Sequence, residues 1–122
     1  MKLLHMVSVS AAVIGTAALT APQVTQASVR TVYISITDRG FAPNHVLTVA
    51  NQPVSITVVN SGHQIHQFSI PHYRIYTENL KPGAKSNIQF SPWTVGRFEM
   101  MSDPSGKDQP EFTGQFIVTD QK

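Results

Sequence analysis

Apolar and polar residues alternate with period two along most of the chain, and turn-forming residues interrupt the alternation at short intervals. Val32, Ile34 and Ile36 share one face of the run 31–36, which Asp38-Arg39-Gly40 then breaks. Val46–Val49 follows and ends at Asn51-Gln52-Pro53. In the next run Val54, Ile56 and Val58 face one way, Ser55 and Thr57 the other, and Asn60-Ser61-Gly62 stops it. Further strands are expected at 66–70, 86–90, 96–102 and 113–119. Seven short strands rich in β-branched and aromatic residues predict an all-β, two-sheet antiparallel Greek-key sandwich of about seven or eight strands. No segment after residue 27 sustains a helical period. The irregular connection from Pro71 to Lys85 is too long for a hairpin, so it is expected to cross between sheets and to hold at most one helical turn.

Residues 1–27 read differently. Lys2 precedes an apolar stretch from about Met6 to Leu19, and Thr25-Gln26-Ala27 offers small residues at a cleavage site. This is the layout of a secretory signal peptide, and the stretch is shorter than the roughly 20 apolar residues of a membrane span. The expected organisation is a cleaved signal peptide over 1–27, one domain over 28–122, and a periplasmic location with no stable membrane insertion. Removing Lys2 takes the formal charge from +2 to about +1, and the charges form no runs. Nucleic-acid binding is not indicated. The chain has no cysteine, so neither disulfides nor thiolate metal sites are available. A domain this small has a modest stability margin, which its core, with or without a bound metal, must supply.

Chemistry is sparse. His66 is the first candidate, because Phe68 and Ile70 on the same parity place it inward, near a sandwich mouth; it reads either as a metal ligand or as a structural histidine. His63 lies three residues earlier in the same loop. Met100 shares the inward parity of Phe98 and Ser102, whereas Met101 is expected to face outward. Asp103, Asp108 and Glu111 punctuate the loop after Ser102, and carboxylates joined by imidazole suit Fe(II), Mn(II) or Cu(II). Arg74 and Glu78 are assigned to the solvated crossover, Trp93 to core or sheet edge. No nucleophile triad, phosphate loop or HExxH helix is present, so hydrolysis has no support.

Several patterns in order resemble the cupredoxins. They are Phe41-Ala42-Pro43 before Val46–Val49, the strand ending at Asn60, His66-Gln67-Phe68, Leu80-Lys81-Pro82-Gly83, Gly96–Ser102 and Gly114–Val118. Carried over by position, the resemblance keeps the first copper-binding His as His66. It puts Ser102 at the Cys position, Lys107 at the second His and Phe112 at the Met. A type 1 blue-copper centre needs a thiolate and two imidazoles, so none is expected. The segment 77–83 is similar to the cupredoxin-like components of bacterial ferrous-iron uptake systems. That resemblance implies a periplasmic iron- or copper-handling protein with metal candidates His66, His63, Asp103 and Met100. A periplasmic iron-binding protein or an inner-membrane iron permease would be its partner. Binding is expected rather than catalysis, since assisting Fe(II) oxidation would need an electron acceptor. Two alternatives stay open: a metal-free protein-interaction module with a relic site, and a His/Met copper chaperone.

Overall fold

The computed structural model describes residues 28–120; the signal-peptide expectation lies outside them. Nine strands run in chain order: β1 (Arg30–Thr37), β2 (Gly40–Ala42), β3 (His45–Val49), β4 (Val54–Asn60), β5 (Ser69–Ile70), β6 (Ile75–Tyr76), β7 (Lys85–Phe90), β8 (Gly96–Ser102) and β9 (Phe112–Thr119). They build two sheets, ordered β2-β1-β4-β7 and β3-β9-β8-β5-β6. β1 pairs in parallel with β4, and β3 in parallel with β9; the remaining pairings are antiparallel.

The alternation read from the sequence is the packing. Val54, Ile56 and Val58 are buried on β4 while Ser55, Thr57 and Val59 are only partly so. On the outer face Asn87 Nδ2 donates to Ser55 Oγ and Thr57 Oγ1 across the strand. The core between the sheets collects Ile34, Ile36, Val46, Phe68, Ile70, Leu80, Met100, Phe116 and Val118. Tyr73 plugs one end, edge-on to Trp93, Phe98 and Phe116, with its hydroxyl donating to Thr94 O at 2.8 Å. β8 and β9 approach closely at Gly114, where an added Cβ would stand 2.6 Å from Asn44 O and 2.8 Å from Met100 Cε.

The structure departs from the expectation in its two parallel pairings and in the short strand β2, where only a break was expected, and differs in three further places. The run 66–70 is a strand only at Ser69–Ile70, preceded by an isolated bridge between His66 and Leu80. Side chains intercept its backbone: Gln67 N donates to Ser102 Oγ, and Phe68 N donates to Thr77 Oγ1. The crossover does hold one helical turn, Pro71–Tyr73, but it also contributes the two-residue strand β6. Met101 points away from the core cluster as expected, yet it is buried at 9 % exposure, because Ser69 pairs beside it and loops flank it.

Truncating a ring at the centre of this core leaves a cavity. Phe116→Ala should lower the unfolding free energy by about 3–5 kcal/mol, read as a shift of the urea midpoint with an unchanged slope.

Candidate functional site

One end of the sandwich gathers the polar residues. The β1–β2 turn is tied by Thr37, whose hydroxyl donates to Gly40 O and accepts from Arg39 N. This turn sets Asp38 at the end of β1. The neighbouring β4 ends at Asn60, which is buried and donates through Nδ2 to Gln64 O and Leu80 O, both at 2.7 Å. Asn60 Oδ1 also accepts from Gly62 N. The loop 61–65 is thereby folded onto Asp38, which accepts the backbone N–H groups of His63 and Gln64. Gly62 is required for this approach, since a side chain there would collide with Asp38 Oδ1.

His66 lies fully buried between two carboxylates. Its Nε2 is 2.8 Å from Asp38 Oδ1, and its Nδ1 is 2.8 Å from Glu111 Oε2. Glu111 arrives there because its backbone N–H donates to Ser102 O where the 103–110 loop closes. The donors can be ordered. Ser102 Oγ accepts from Gln67 N at 2.9 Å, so its hydroxyl hydrogen goes to Glu111 Oε2 at 2.6 Å. Asp38 is an acceptor for backbone N–H groups, so His66 donates to it. With a carboxylate facing each ring nitrogen, the arrangement favours the doubly protonated ring over either neutral tautomer. Burial opposes that charge, but the hydrogen bonds and attraction of Glu111 and Asp38 outweigh it and raise the His66 pKa above 6.5. The hydrogen bond from His66, followed by the backbone N–H of His63, holds Asp38 well below the usual carboxylate range. Phe112 closes the third side, its ring 5.5 Å from the imidazole and 5.1 Å from Phe41.

The four sequence candidates are not brought together. His63 is 95 % exposed at its side chain and shares Asp38 with His66, its Nδ1 3.1 Å from Oδ2. Asp103 organises its own loop: Ser105 Oγ donates to it at 2.7 Å, and that bond, aided by backbone N–H groups of the loop, lowers its pKa. Met100 is enclosed in the core against Gly114. Among the described residues no group of three or more His, Cys, Asp or Glu side chains is placed to hold a metal ion. Glu111 was visible in the sequence only as a loop carboxylate, and Asp38 only as a turn residue. Asp38 is distant in sequence, and only the parallel register placing Ile36 beside Asn60 brings it to His66.

Two sheets, a mixed parallel and antiparallel strand order and a polar mouth fed by β8, β9 and the loop after β4 define a cupredoxin-type sandwich. The chain matches the cupredoxin-like domain family over residues 8–118 and belongs to it. Its backbone is similar to a reduced auracyanin from Roseiflexus castenholzii, at 15 % identity and a TM-score of 0.63, covering 77 % of this chain and 99 % of that one. It is also similar to the metal-binding domain of the Cu(I)-exporting P-type ATPase CopA of Streptococcus pneumoniae D39, solved with Cu(I). There the identity is 18 %, the TM-score 0.58, and the coverage 78 % and 99 %. A copper-containing nitrite reductase from Thermus scotoductus SA-01 matches at 18 % identity and a TM-score of 0.62, over 78 % of this chain but 28 % of that one. No curated protein matches the chain. These likenesses establish the fold.

Copper of the blue type does not fit the residues present. Both nitrogens of His66 and the hydroxyl of Ser102 are committed to carboxylate and backbone partners. Phe112 has no donor atom, and Lys107 is an exposed cation in the loop.

The ion triad makes stability depend on pH. Because the His66 pKa is raised on folding, its contribution is complete below about 6.5 and fades as pH rises through the folded value. The Asp38 pKa is lowered, so its contribution is complete above about 3.8 and fades as pH falls below it. Denaturant midpoints should therefore be highest between these limits and fall on both sides. Glu111→Ala should cost about 2–4 kcal/mol, less than a fully buried pair because Glu111 keeps partial exposure. It should also shrink the alkaline fall.

Proposed function

We propose that the chain is an exported recognition module on a cupredoxin scaffold, in which a carboxylate clasp takes the place of copper. One observation carries the reading: Glu111 Oε2 accepts hydrogen bonds from both His66 and Ser102, the residues at the family's first His and Cys positions. A metal bridging those positions would have to displace a hydrogen-bonded carboxylate and a proton from a buried imidazolium. Interaction through the surface then remains as the module's activity, with a protein or small-molecule partner outside the cytoplasm.

A second reading is favoured by the convergence of His63 and His66 on Asp38, with Glu111 across the ring. Imidazole and carboxylate are donor types suited to a divalent cation, and a metal here would have to draw these side chains away from their present partners. In this reading the protein handles iron or copper as an accessory to ferrous-iron uptake, alongside a periplasmic iron-binding protein or an iron permease. Calorimetric titration of the purified protein at neutral pH with Cu(II), Cu(I), Fe(II) and Mn(II) separates the two. The clasp reading expects no stoichiometric binding of any of the four. A 1:1 complex abolished by His66→Ala would replace it with the metal-handling reading.

A further inference from the structure

The two outer faces of the sandwich differ. On β1, β4 and β7 hydroxyls and amides dominate, and Asn87 is bonded there to Ser55 and Thr57. On the five-stranded sheet Val46, Thr48, Met100, Phe116 and Val118 turn inward, so their strand neighbours face out. The register sets these outward residues in rows. Leu47, Ile117 and Arg97 form one row across β3, β9 and β8, and His45, Gln115 and Glu99 form the next. Beyond the first row Val49 lies beside Thr119; beyond the second Thr113 lies beside Met101. Leu47 and Val95 are each 53 % exposed, and Val95 immediately precedes β8 at the end where Gly96 pairs with Val118. Apolar residues exposed singly are ordinary, but here Leu47, Val49, Ile117 and Val95 share one face with a polar rim.

That rim carries charge of both signs. Arg97 and Glu99 stand on the same side of β8, about 7 Å apart. Arg97 Nη1 donates to Gln115 Oε1 at 3.1 Å, which holds the guanidinium over β9. Glu99 takes part in no ion pair among the described residues. Beside them a hollow of about 480 Å³ opens, with His45, Glu99, Gln115 and Ile117 among its walls.

We infer that this face binds a second copy of the chain about a two-fold axis. Such an interface is self-complementary, so a contact of Arg97 with the partner's Glu99 is repeated by Glu99 with the partner's Arg97. That pairing fixes the axis, which must run across the strands midway between the two rows. Every other position then follows from the register. Ile117 lies over the partner's Gln115, and Leu47 over the partner's His45, where the hollow receives its side chain. One row further out, Val95 lies over the partner's Met101, apolar on apolar. No like charges on β3, β8 and β9 meet. The strands of the two sheets come nearly into line, the common geometry of sheets packed face to face. A second copy suits the face better than an unrelated protein, because one surface here supplies both halves of each pair. The inference goes beyond the recognition-module reading and does not depend on it.

Sedimentation equilibrium of the full chain at low salt tests it. A reversible monomer–dimer equilibrium is expected, weakened about tenfold by Arg97→Glu and by Glu99→Arg. Leu47→Lys should weaken it as well. All three residues are exposed, so circular dichroism should report an unchanged fold. Restoration identifies the axis. Arg97→Glu/Glu99→Arg in one chain should dimerise as the natural sequence does, and an equimolar mixture of the two single variants should associate again. A monomer at every concentration, association indifferent to the single variants, or failure of either restoration would each overturn the inference. His66 is bonded to Asp38 and Glu111 and to none of the substituted residues, so the metal titration and this one fail separately.

Discussion

Glu111 Oε2 takes one hydrogen bond from Ser102 and one from His66, and this single oxygen ties three segments of the chain together. Through Ser102 it is linked to the backbone of Gln67, and through His66 to Asp38 at the far end of β1. Remove it, and the buried His66 ring faces one carboxylate instead of two, while the Ser102 hydroxyl loses its acceptor. Desolvating a charge is costly enough that partners on both sides are needed to keep it ionised. The loop after Ser102, the loop after Asn60 and the β1–β2 turn are therefore held in place by one shared proton system.

That arrangement also holds the mouth of the sandwich together without the ligand set of a blue-copper centre. In a small domain lacking disulfides, something must hold the loops at the mouth of the sandwich. The clasp does so with two carboxylates, an imidazolium and a hydroxyl. Phe112 adds a ring that packs on both His66 and Phe41, where a donor side chain would have left a polar gap. Sites are features grafted onto folds, so the shared frame does not by itself fix the chemistry at its mouth.

Much of the sandwich was legible in the sequence because burial on one face imposes period two, as β1 and β4 show. His66 could be placed inward by the same parity. The strand expected through Gln67 was not legible, because side-chain oxygens of Ser102 and Thr77 take the backbone donors that a neighbouring strand would have used. The burial of Met101 escaped for a related reason: parity says which face a residue occupies, but not what loops flank that face. Asp38 and Glu111 could be seen as acidic residues in turns. Only the parallel register of β1 with β4, and the closure of the loop onto β9, bring them to the imidazole.

The parallel pairing of β3 with β9 reaches beyond packing into the timing of folding. His45 pairs with Gln115 and Val49 with Thr119, so an early strand waits for nearly the last residues described before its edge is satisfied. Closing so long a loop costs chain entropy before any contact rewards it, which makes assembly slow and places it late. A nascent chain emerging residue by residue cannot complete this sheet until its C-terminal segment is free. The other sheet, β2-β1-β4-β7, draws only on strands that end by Phe90 and has no such wait.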